Sequence, residues 1–298
     1  MVRLLLVALI WGWSFLFIKV IVEGAPPLFV AWTRVALGAL VLLAFLRSYR
    51  ERLPGREHWF HVTVLGVLMS VIPFSLIAWG EERITSALAS VLNAATPLFA
   101  AAAAAVLLGE RLRPPQLAGL GVGFAGVAVV AGVGGGDLAA SSLLGSLAVL
   151  GAAASYGTGF GYVQRFLSGL TPTQMAAGPL AAATVVLAAP TAVAVIRQGV
   201  QLSPLRVVCV LALGCLGTGY ALMLNYRTVK ELGPTTASLV TYLVPVVGVT
   251  AGVLVLGEPF SFRLILGGLL IVLSVALVQG RLLGAPREER SGVRAGAR

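Results

Sequence analysis

The sequence predicts an all-α polytopic membrane protein, with ten transmembrane helices arranged as two inverted five-helix repeats. Three observations carry that prediction. Hydrophobic residues make up 58% of the chain and charged residues only 11%, whereas soluble domains carry about 25% charged residues, and a soluble core of this size cannot hide so much apolar surface. Apolar runs of about 18 residues or more recur along the chain, the length a bilayer core demands. The last part of the sequence also matches the first at a fixed offset.

Each span has its own boundaries. The first, 4–22, has too long an apolar part for a signal-peptide core, and the glycine–proline stretch after it lacks an A-x-A-like cleavage pattern. The second, 28–46, ends at a loop holding Arg47, Arg50, Arg52 and Arg56. The third, 59–79, opens beside His58, Trp59 and His61, read as interfacial anchors because no third metal ligand lies nearby. The fourth, 84–107, carries Pro97 near its middle and ends in Leu108-Gly109-Glu110. The fifth, 115–133, starts after Pro114 and runs into a glycine-rich loop around Asp137, from which the sixth, 142–163, emerges. The seventh, 173–196, lies between Pro172 and Arg197. The eighth, 205–226, holds Cys209 and Cys215, and six residues turn a helix through roughly 600°, so the thiols face different ways and make neither disulfide nor metal pair. The ninth, 235–256, carries Pro245 and ends in the second Leu-Gly-Glu, and the tenth, 262–280, gives way to an arginine-rich tail.

Charge sets the sidedness. With the N-terminus inside, fifteen Lys and Arg residues fall in inside segments and four in outside loops, which predicts both termini cytoplasmic. The net charge of +10 is then a topology signal. Basic residues scattered over short loops do not form a nucleic-acid-binding face. The tail, 281–298, is expected to be a disordered basic cytoplasmic end able to touch anionic lipid.

At an offset of 148, residues 86–130 fall on 234–278 without a gap, with eleven identities. These include Ser90 with Ser238, Pro97 with Pro245, both Leu-Gly-Glu runs and Gly119 with Gly267. An offset of 145 pairs Trp11-Gly12 with Tyr156-Gly157 and Pro27 with Pro172. The chain therefore divides into repeats at 1–137 and 138–280. Five helices is an odd number, so the second repeat must enter the membrane from the opposite side, the inverted arrangement of secondary transporters with a site at the repeat interface.

The W-G-x-S-F run at 11–15, the mid-helix proline followed by LGE in both halves, and the glycine in the next helix resemble the drug/metabolite transporter superfamily. The similarity is greatest to ten-helix exporters with two EamA-type repeats and covers residues 1–280. The chain departs from it at Tyr156-Gly157, where such proteins often repeat a tryptophan. The resemblance implies alternating-access transport of a small metabolite, such as an amino acid or an amphipathic drug, across a bacterial inner membrane. Nineteen arginines against two lysines also suggest a GC-rich bacterial genome.

Spacing picks out the residues of the path. Ser86, Ser90, Asn93 and Pro97 share one helix face, as do Ser238, Thr241, Tyr242 and Pro245. Polar groups facing lipid are costly, so both stripes should look inward, and each proline should free a carbonyl near Asn93 or Thr241 for a ligand or a water. Trp11, Ser14, Tyr156 and Tyr220 supply further aromatic and hydroxyl groups for a mostly apolar cavity. Lys19, Arg34 and Glu81, in the outer parts of their spans, are expected either to form ion pairs or to line a charged vestibule. Glu110 and Glu258 are read as caps of the turns that follow them. No cofactor or metal is expected; the partners are a small-molecule substrate, the bilayer, and protons or a counter-substrate. The rival readings are an intramembrane lipid-modifying enzyme, which would want paired midplane carboxylates or an H-E-x-x-H motif that the chain lacks, and a non-transporting scaffold.

Overall fold

The computed structural model describes residues 2–110, 112–132, 140–167, 169–237 and 239–279, and every regular element among them is helical. Ser238 and the tail 281–298 lie outside the described residues. Helices α1 (Val2–Val22) and α2 (Pro27–Ser48) come first. A short 3₁₀ turn (Arg56–His58) leads into α3 (Trp59–Gly66), a π-helical stretch (Val67–Val71) and α4 (Ile72–Glu81), which form one continuous rod. Next come α5 (Ser86–Asn93), α6 (Thr96–Leu108) and α7 (Pro114–Ala131). The second half runs α8 (Ala140–Phe166), α9 (Pro172–Gln198), α10 (Pro204–Leu211), a second π-helical stretch (Ala212–Tyr220), α11 (Ala221–Ala237), which breaks at Gly233 with φ of 77°, α12 (Val240–Leu256) and α13 (Phe262–Val278).

Among the described residues, eight helical segments are long and apolar enough to span a bilayer. The remaining two, α12 and α13, are apolar but only 17 residues each. The outer surface is strongly apolar, with Leu40, Val106, Val185, Ile196, Leu254 and Phe262 all exposed. In water such a surface would drive aggregation; against lipid tails it costs nothing. The protein is a multi-pass membrane protein.

Helix ends follow local chemistry. Proline opens α2, α7, α9 and α10, because the first turn has no use for the missing N–H. The glycines of the two Leu-Gly-Glu runs, Gly109 and Gly257, take φ of 69° and 67° and cap α6 and α12, a conformation only glycine adopts freely. That accounts for the glycine of each motif.

Packing pairs the halves. The most extensive contacts join α7 to α13, α1 to α12, α2 to α9 and α6 to α8. Small residues permit the approach: a Cβ on Gly12 of α1 would lie 2.5 Å from the Val247 Cβ of α12, and one on Gly157 of α8 would lie 2.6 Å from the Phe99 backbone of α6. With no hydrophobic force between helices in lipid, such close backbone packing is the main source of association.

Candidate functional site

Two helix interruptions, the π stretches, lie away from Pro97 and Pro245. The π stretches begin at residues 67 and 212, which the offset of 145 superposes. In a π turn the i→i+5 bonding widens the helix and leaves carbonyls open to side chains. The facing helices supply the donors. The Trp11 indole N–H of α1 donates to the Gly217 carbonyl at 3.0 Å, and the Ser155 hydroxyl of α8 donates to the Leu68 carbonyl at 2.7 Å. Thr218 bonds back to the Leu213 carbonyl, five residues away, at 3.1 Å. Sequence reading missed these stretches. A signal existed in the first half, where Pro73 removes the N–H that Met69 would need, and in the glycine density of 212–220.

The interruption at Pro97 follows expectation only in part. Between α5 and α6, Ala94 and Ala95 form a turn and Pro97 sits at the second position of the new helix. The carbonyl it frees, that of Asn93, accepts the Thr96 hydroxyl at 2.7 Å, so the fold itself uses the group expected to serve a ligand. Pro245 lies inside the continuous helix α12. The expectation of a break at both prolines is thus corrected for the second half: there the helix passes through the proline with one bond missing.

The stripe residues separate into two kinds. Ser90 is fully buried, bonds to the Ala87 carbonyl at 2.8 Å, and presses on Gly248 so closely that a Cβ there would lie 2.5 Å from its own. Asn93 and Thr241 are half-buried, and the Asn93 Oδ1 is a buried acceptor with no hydrogen-bond partner among the described residues. Pro97 is half-buried and Pro245 buried. Tyr242 donates its hydroxyl to the Gln279 side chain at 3.1 Å. Ser14 is buried, bonds to the Ile10 carbonyl at 2.9 Å, and lies beside Gly217. Tyr220 is exposed, and Ser238 lies outside the described residues.

The structure adds a site around Arg34 that spacing alone could not assemble. The guanidinium, only 9% exposed, lies 3.9 Å from the Phe74 ring centroid, and its Nε–H donates to the Thr218 hydroxyl at 2.9 Å. Tyr156 stands edge-on to Phe74 at 6.4 Å. A desolvated cation over an aromatic face gains about 2 kcal/mol. A guanidinium has five N–H donors, so beyond Thr218 it retains the capacity to bind a planar anion. Phe74 and Thr218, from α4 and the second π stretch, were not singled out by their spacing.

Lys19 and Glu81 meet, but not as an ion pair. The Lys19 ammonium donates to the Glu81 and Ile84 carbonyls, at 2.5 and 2.9 Å, capping the negative end of the helix that finishes at Glu81. The Glu81 side chain is fully buried, and neither carboxyl oxygen has a hydrogen-bond partner among the described residues. Glu258 also corrects an expectation. Instead of capping its own turn it reaches across to the other half, accepting the Ser86 and Ala87 backbone N–H groups at 2.7 and 2.9 Å. The first turn of α5 presents those orphan donors and a positive helix end.

Comparison with known proteins agrees with this architecture. Residues 1–132 and 143–279 match the EamA-like transporter family. The "Uncharacterized transporter YoaV" of Bacillus subtilis (strain 168) is 26% identical, covering 91% of this chain and 93% of the relative. The "Uncharacterized inner membrane transporter YedA" of Escherichia coli (strain K12) is 28% identical over 91% of this chain and 87% of its own. The "Probable terminal-alkyne amino-acid exporter" of Streptantibioticus cattleyicolor is 28% identical over 96% and 95%. A solved crystal structure superposes with a TM-score of 0.64 at 22% identity, covering 95% of this chain and 98% of that one, a likeness of fold.

Proposed function

We propose, from the premise that the chain belongs to the EamA-like transporter family, that this membrane transporter exports a small carboxylate-bearing metabolite, an amino acid foremost, by alternating access. The observation that carries the substrate class is the buried Arg34 guanidinium, ringed by Phe74, Tyr156 and Thr218. A mostly apolar, aromatic-lined site with one placed cation suits a small molecule with a carboxylate and an apolar body. The relative whose name specifies an amino-acid exporter supports the same cargo and direction.

Ten spans in two inverted five-helix repeats, 1–137 and 138–280, would supply the alternation, with both termini cytoplasmic in a bacterial inner membrane. Support comes from exchange of the halves. The contact of Gly12 with Val247 corresponds, under the offsets of 145 and 148, to that of Gly157 with Phe99, and the α1–α12 pairing to α8–α6. Rocking one such bundle against the other exposes a central site first to one side and then to the other. The polar turns at Asn93 and Thr241 would line that site beside Arg34.

Counterflow in proteoliposomes tests this, with labelled alanine, threonine, phenylalanine and glutamate and the amphipathic cation ethidium as probes. The expected result is exchange of at least one amino acid, lost in Arg34→Gln and weakened in Asn93→Ala and Thr241→Ala at normal membrane yield. Exchange of ethidium alone, or undiminished amino-acid exchange in Arg34→Gln, overturns the carboxylate reading.

A further inference from the structure

Glu81 presents a problem that the transport path does not solve. Its carboxyl group is sealed from solvent at the end of α4, and both oxygens lack a hydrogen-bond donor among the described residues. The nearest cations, Lys19 and Arg34, act on it through space but make no hydrogen bond to it. Lys19, from α1, is held by two backbone carbonyls, and Arg34, from α2, by Thr218 and the Phe74 ring. Glu258, after α12, brings a like charge within electrostatic reach, itself engaged by the first turn of α5. From α8, Tyr156 faces the same arginine. An isolated carboxylate in a low-dielectric interior is stable only when paired or hydrogen-bonded, and otherwise neutralises.

We propose that Glu81 is a proton-binding site that couples transport to the proton gradient. In the conformation described, the proton sits on a Glu81 carboxyl oxygen. When the helices rearrange, the O–H bond breaks and the proton passes to water. The carboxylate left behind is balanced by the Lys19 ammonium or the Arg34 guanidinium turning to it. At the same end of the bundle a cavity of about 230 Å³ is lined by Glu82, the next residue, together with Glu23, Gln198 and Gln201, and the released proton would leave through it. Because Arg34 can answer either a substrate carboxylate or Glu81, substrate binding and proton release become linked. The coupling step rests on the transporter reading above; proton occupancy of Glu81 does not.

Infrared difference spectra of the lipid-reconstituted protein across pH test the occupancy directly. The expected result is the carbonyl-stretch band of a buried protonated acid in the wild type, absent in Glu81→Gln, shifted in Glu81→Asp and unchanged in Glu23→Gln. Absence of the band from the wild type at every pH overturns the proposal whether or not the variants fold, as does its persistence in folded Glu81→Gln. In proteoliposomes with the amino-acid probes named above, Glu81→Gln is expected to lose accumulation driven by an imposed pH gradient while keeping gradient-free exchange. Retained gradient-driven accumulation overturns the coupling. If the wild type neither exchanges nor accumulates any probe, the transport reading fails, and the infrared result alone decides the proton site.

Discussion

Pro97 and Pro245 occupy matched positions, yet Pro97 follows a turn that breaks the helix, while Pro245 lies inside α12. Residues 67–71 and 212–220 read VLMSV and ALGCLGTGY and look unrelated, yet both fold as π-helical stretches. The contrast teaches that a helix interruption here is set by what faces it. Each π stretch meets a donor on the facing helix, Ser155 or Trp11, that takes an opened carbonyl. Pro97 sits beside a threonine hydroxyl placed to take the carbonyl it frees, and Pro245 has Val244 and Val246 as neighbours. A proline removes one bond; whether the chain turns there depends on a partner for the orphan.

The largest expected effect tests the prolines directly. Pro245→Ala restores a missing bond inside a continuous helix and should stabilise the protein by up to about 3 kcal/mol, read as a raised unfolding temperature in detergent. Pro97→Ala, at the second position of a helix where the N–H is unused, should move it far less. Equal shifts would erase the distinction between the two segments.

Next in size are the close crossings of α8 with α6 and of α1 with α12. Gly157→Ala puts a methyl within 2.6 Å of α6 backbone, while Gly12→Ala meets first the Val247 side chain. Backbone yields less than a side chain, so Gly157→Ala should cost more, about 1–3 kcal/mol, measured by thermal unfolding of the purified variants. The opposite order would place the tighter crossing between α1 and α12.

Removing the donors sharpens the account of the π stretches. Trp11→Phe and Ser155→Ala each leave a part-buried carbonyl unpaired and should destabilise by about 1–3 kcal/mol, with hydrogen exchange rising at residues near 217 or 68 respectively. Unchanged exchange in both would mean the stretches do not depend on the facing donors. The smallest effect belongs to Thr96→Val, which strips the hydroxyl from the Asn93 carbonyl and should cost about 1 kcal/mol in the same unfolding assay.

Much of the fold was legible in the sequence because its causes are local. Apolar length, proline at helix starts and glycine after helix ends act within a few residues, so the helices fall close to the spans read from the chain. The candidate site was legible only in pieces. Arg34, Tyr156 and Lys19 drew notice as polar or aromatic residues in apolar runs, but Phe74 and Thr218 did not, since neither departs from its surroundings until Arg34 is laid between them. Glu258 was read as a local cap, although its partners are about 170 residues away.

By itself, then, the sequence determined a helical membrane protein and the extent of most of its helices, because backbone hydrogen bonds in lipid must be satisfied within each segment. Tertiary structure alone decided which carbonyls opened, which cation was caged and which carboxyl was left without a donor. Those outcomes depend on side chains from helices far apart in the chain, and in a low-dielectric interior the presence or absence of one such neighbour outweighs any preference of the residue itself.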